Sequence, residues 1–148
     1  MSLMMRAEVL DEVVKRLRSG DYEQGQSALR VKGNINKPDT YCCLGVLCEM
    51  AVEAGVVLRR EQELEGHTYG YISTEGGQED SAYLPAAVIE WAGIVSDVMK
   101  NPSWGEYHYE SRGHFDDGDF DSLAVMNDSG SYNFHAIADW MEQNVVRV

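Results

Sequence analysis

Apolar residues recur at Met5, Val9, Leu10, Val13, Val14 and Leu17, the spacing of one helix face, with Lys15, Arg16 and Arg18 near its end. Ser19-Gly20 supplies the stop, since glycine reaches the left-handed conformation that closes a helix. Over 22–30 the pattern weakens and predicts a short turn of helix; 33–39 reads as loop. A second helix is predicted over about 41–54, capped by Asp39 or Thr40 and stopped by Gly55. Its opening, Tyr41-Cys42-Cys43-Leu44-Gly45-Val46-Leu47-Cys48, carries no charge, and a helix apolar on all sides is buried on all sides. Gly45 costs helix stability, so its presence implies that another backbone passes close.

Residues 56–60 and 67–73 read as an extended hairpin, the second strand rich in tyrosine. Residues 74–81 read as a solvated acidic loop. Pro85 opens a third helix that runs to Ala92 and turns Val88, Trp91 and Ala92 inward, with Gly93 as its stop. A further strand is expected over 106–110 and a brief helix over 122–127. Phe134, Ile137, Ala138 and Met141 give the last helix, over about 133–145, its inward stripe. The sum is one α+β domain over 1–148, four or five helices around a buried central helix (about 41–54) with a small antiparallel sheet. Met1-Ser2-Leu3 reads as a cloning scar without weight in the fold.

Composition narrows the function classes. The 148 residues are 44% apolar, enough for a buried core, and carry a net charge of −13. Residues 1–60 hold nine Lys/Arg against eight Asp/Glu, whereas 61–148 hold three against seventeen. Phosphate neutralisation needs the opposite balance, so direct nucleic-acid binding is not expected, nor attachment to an anionic membrane. No run reaches the roughly 18 apolar residues of a membrane span, and the N-terminus lacks a secretory apolar core. Three cysteines, Cys42, Cys43 and Cys48, cannot form a secreted disulfide framework, so the expected setting is the reducing cytoplasm. With no second cysteine pair, a structural zinc is not expected.

Several segments resemble, in order, a group of small proteins encoded by bacteriophages and prophages: Tyr41-Cys42-Cys43-Leu44-Gly45-Val46-Leu47-Cys48-Glu49-Met50-Ala51, then Leu84-Pro85 through Trp91-Ala92-Gly93, Asn101-Pro102, Leu123-Ala124 through Asn127-Asp128, and Phe134 through Ile137-Ala138-Asp139 to Glu142. The resemblance implies a phage or prophage origin and no particular activity. Most signature residues are small or apolar, which is a signature of packing.

Three constellations carry candidate chemistry. Cys42 and Cys43 fall in the first turn of a helix, where N–H groups and the dipole lower a thiol pKa. This resembles papain-like and NlpC/P60-type cysteine peptidases, with His67 as the base from a following strand, although the Asp-Cys-Ser-Gly of the latter family is absent. The competing reading is that these cysteines are buried small hydrophobes. Asp117, Asp119 and Asp121, with Asp128 at the twelfth position, follow a calcium-loop spacing, but Ser122 stands where the sharp turn needs glycine. His108, His114 and Asp116 are a third set, in a spacing that fits no helical ligand pair. Tyr69, Tyr71, Trp104, Tyr107 and Tyr109 would line a small-molecule pocket or a protein contact, or else pack in the core. Phosphate-loop and Gly-x-Ser-x-Gly patterns are absent, and no cofactor is expected. The leading expectation is a non-enzymatic phage accessory protein that binds a host protein or small ligand through its acidic half. The alternative is a cysteine hydrolase using Cys42 or Cys43 with His67.

Overall fold

The stripe Val9, Leu10, Val13, Val14 and Leu17 forms helix α1 (Ala7–Ser19) with all five side chains buried, and Gly20 ends it at φ 81°. A computed structural model describes residues 3–26, 28–62, 67–81, 84–96, 123–128 and 131–148. In it α1 packs against α2 (Cys43–Glu53) and α5 (Phe134–Asn144). The uncharged run makes α2 the central helix: every residue from Cys43 to Ala51 is buried. It is enclosed by α1, by α3 (Ala86–Ala92), by α4 (Leu123–Asp128) and by the sheet. The close backbone approach expected at Gly45 is present, since a Cβ there would collide with the Leu29 carbonyl oxygen.

Two sheets flank this core. The larger has strand order β2-β4-β3-β6-β5, built from β2 (Glu23–Gln24), β3 (Arg30–Val31), β4 (Thr40–Tyr41), β5 (Val57–Gln62) and β6 (Thr68–Ser73). Its pairs are antiparallel except β2 with β4. The expected hairpin is β5–β6, in register from Val57 opposite Ser73 to Gln62 opposite Thr68. The smaller sheet has order β7-β1-β8, with β1 (Leu3–Met5) central between antiparallel β7 (Val95–Ser96) and parallel β8 (Val145–Arg147).

Four local expectations are corrected. Residues 22–30 contribute β2 and the start of β3 in place of a helical turn. Leu3 belongs to β1 and so does carry fold weight, and Met5, fully buried in the same strand, is not helical. The cap of α2 is neither Asp39 nor Thr40: Thr40 and Tyr41 pair with β2 and β3, which delays the helix, and the Cys42 sulfur accepts the Gly45 N–H at 3.4 Å. Residues 74–81 are not wholly solvated, because Tyr71 and Asp80 exchange both backbone hydrogen bonds. The strand expected over 106–110 lies outside the described residues.

Candidate functional site

The amino end of α2 is where distant segments converge. The Cys42 N–H donates to the Leu29 carbonyl at 3.2 Å, and the Cys43 N–H to Asn127 Oδ1 at 3.2 Å. The same Oδ1 accepts from Gln24 Nε2 at 2.9 Å, and Asn127 Nδ2 donates to the Gly25 carbonyl at 2.7 Å. Asn127 is fully buried, and these bonds offset the cost of taking its amide out of water. Asn127 of the Leu-Ala-x-x-Asn-Asp segment thus accepts an N–H from the first turn of the helix that the Tyr-Cys-Cys segment opens. Beside this joint lies a cleft of about 560 Å³ lined by Gln24, Gln26, Asn127, Ser131, Tyr132 and Asn133, a surface of amides and hydroxyls suited to hydrogen bonding.

The candidate thiols lie inward from that cleft. Cys42 and Cys43 are 4% and 2% exposed, and the Cys43 thiol donates to the Leu123 carbonyl at 3.5 Å. Cys48 is fully buried, and burial pushes its thiol well above the usual range. His67 is exposed at the start of β6, its carbonyl accepting from the Lys32 N–H. Leu29, which meets Cys42, stands three positions back along the chain from Lys32. His67 is thus two strands across and three residues along from the thiols. His67 instead borders a groove of about 760 Å³ with Lys32, Lys37, Pro38, Glu61 and Gln62, below a turn that leaves Ile35 fully exposed.

Tyr69 and Tyr71 belong to a charged network between sheet and helix. The Arg30 guanidinium lies between the rings of Tyr41 and Tyr69, 5.0 and 4.5 Å from their centroids, and donates twice to Asp39 Oδ2. Its other terminal nitrogen is 3.1 Å from Glu49 Oε2. Glu49 also accepts from Arg59 at 2.6 Å and from the Tyr71 hydroxyl at 2.5 Å. Burial, and next the Glu49 carboxylate, push the Tyr71 phenol far above its ordinary value. This network pins β3, β5 and β6 onto α2. Sequence reasoning missed Arg30 and Glu49; the available signal was Glu49 itself, a lone charge within 41–52.

Trp104, Tyr107, Tyr109, His108, His114, Asp116, Asp117, Asp119 and Asp121 lie outside the described residues, and only the backbone of Asp128 is described, at the end of α4. Among the described residues no three His, Cys, Asp or Glu side chains converge as a metal site. No described helix is long and apolar enough to cross a membrane.

These features define an α+β protein built around one buried helix. The chain belongs to a family described as a domain of unknown function, DUF8296, whose model matches residues 5–145. No curated protein matches the chain, and no solved structure does.

Proposed function

We propose that the chain is an accessory protein of phage or prophage type that acts in the bacterial cytoplasm by binding a basic protein partner. One observation carries this reading: every arginine among the described residues is already paired with a carboxylate of the same chain. The pairs are Arg6 with Glu8, Arg16 with Glu12 and Glu53, Arg18 with Asp139 and Glu142, Arg30 with Asp39 and Glu49, Arg59 with Glu49, Arg60 with Glu79, and Arg147 with Asp11. The chain carries a net −13, and among the described residues exposed Asp21, Glu23, Glu75 and Glu90 are in no ion pair with a guanidinium. Such a field attracts a cationic surface from a distance and repels nucleic acid and other acidic proteins. The motif resemblance supports the phage assignment, and the acidic balance of 61–148 supports that half as the contact face.

The test is titration of the protein with a lysine-rich 20-residue peptide and a glutamate-rich control. The reading expects saturable binding of the first alone, weakening about tenfold or more between about 50 and 300 mM salt as the Debye length shrinks. Binding indifferent to salt, or equal for both peptides, overturns it.

A further inference from the structure

A separate cleft of about 350 Å³ lies where the turn after β6 meets α3. Its lining includes Trp91, Glu75, Glu90, Val56, Ala87 and Thr74, and among the described residues no basic side chain contributes. Glu75 and Glu90 are exposed, and Trp91 is half-buried. Gly55, just past the end of α2, also borders the space, while Glu90 and Trp91 sit in the last turn of α3. The indole already serves one cation: the Arg6 guanidinium carbon lies 5.7 Å from its centroid, and Arg6 Nε donates to the Trp91 carbonyl at 2.7 Å. Arg6 is itself paired with Glu8 and lies outside the cleft lining. The Trp91 indole, two exposed carboxylates and the apolar Val56 and Ala87 share one preference, for a cation with an apolar stem.

We propose that this cleft receives an alkylammonium group, its methylenes against Trp91, Val56 and Ala87 and its charge between Glu75 and Glu90. The inference rests on the reading of the chain as the partner of a basic protein, and it specifies a lysine side chain as what that partner inserts. A free diamine carries the same chemistry, so the experiment separates the two sources.

The full chain, labelled with 15N, is titrated with n-butylammonium, putrescine and a blocked lysine tripeptide, each against sodium chloride of equal ionic strength. The indole N–H of Trp91, identified by its loss in Trp91→Phe, is followed. The expected result is a saturable shift with n-butylammonium that sodium chloride does not reproduce, weakened about tenfold in Glu75→Gln/Glu90→Gln. Both changes are at exposed positions, and unchanged amide dispersion elsewhere verifies the fold. Tighter binding of the tripeptide assigns the site to a protein lysine; tighter binding of putrescine assigns it to a free amine and removes the lysine occupant. A shift that follows ionic strength alone, or survives in the double variant, overturns the cleft. If the lysine-rich peptide binds while Trp91 stays silent, the cleft falls and the acidic reading stands. If that peptide does not bind, the acidic reading falls and the n-butylammonium titration still decides the cleft.

Discussion

Asn127 holds Cys43 across 84 residues of chain, its Oδ1 accepting the N–H that opens α2. The contact ties α4 to the central helix, and through Gln24 and Gly25 it ties both to the strand beside β4. Replacing Asn127 by Ala leaves the Cys43 N–H and the Gly25 carbonyl without this partner in a buried setting. Each such group costs about 1–3 kcal/mol, so Asn127→Ala is expected to lose about 2–4 kcal/mol. Gln24→Ala removes a more exposed donor and should lose about 1 kcal/mol. Urea unfolding checks both; equal losses would deny Asn127 its special position.

Gly45 meets the chain at Leu29 so closely that a methyl group finds the carbonyl oxygen in its way. That atom is backbone and cannot rotate aside. Gly45→Ala is therefore expected to destabilise by about 1–3 kcal/mol although alanine is the better helix former. A gain in stability in thermal or urea melts would remove Leu29 from the helix surface.

What the chain revealed in advance follows from element length. α1, α2, α3, α5 and the β5–β6 hairpin each extend over six residues or more and impose a period that the pattern shows. β1, β2, β3, β4, β7 and β8 are two or three residues long and exist only because remote partners pair with them, as Leu3 does with Val145. Two residues cannot display alternation, so 22–30 read as a helical turn, 33–39 as loop and Tyr41 as the start of a helix. The thiols were visible as a helix opening, yet their burial depends on Leu123 and Asn127, eighty residues away. Val88 and Ala92 are buried as the α3 pattern implied, whereas Trp91, read as inward, is half-buried at the cleft, and Glu75 across from it lay in what read as solvated loop.

Acid should weaken the fold through Asp39, Glu53 and Glu79. Burial alone would raise the Asp39 carboxyl, but the Gly33 N–H and Arg30 outweigh it and hold it below its ordinary value. Arg16 lowers Glu53, and Gln62 followed by Arg60 lowers Glu79. A carboxylate lowered by folding adds stability that is complete above its unfolded value, about 4, and is lost as pH falls through the folded value. Asp80, raised by burial, acts in the opposite sense and partly offsets the slope. Stability should thus fall from about pH 5 toward pH 2, and Asp39→Asn should flatten that fall while costing about 1–2 kcal/mol at pH 7. A slope unchanged by Asp39→Asn, in urea midpoints measured across this range, would sink the assignment.

The last expectation concerns the thiols. Cys42, Cys43 and Cys48 are at most 4% exposed, and two of their sulfurs are engaged, Cys42 with the Gly45 N–H and Cys43 with the Leu123 carbonyl. Alkylation requires a thiolate that the reagent can reach; burial withholds access from all three and raises the Cys48 thiol besides. Native protein should therefore react with iodoacetamide at pH 7 only through opening of the core. An opening free energy of about 3 kcal/mol would make this about a hundredfold slower than in urea, where all three thiols react. Opening is a property of the fold, so Asn127→Ala should speed labelling in step with its loss of stability. A hydrolase using Cys42 or Cys43 would behave otherwise: one thiol would react quickly below pH 7, its rate would follow the titration of a neighbouring base, and the fold would survive its modification. Mass spectrometry of partly labelled protein distinguishes the two patterns, and one fast site at Cys42 or Cys43 would replace the binding reading with the catalytic one.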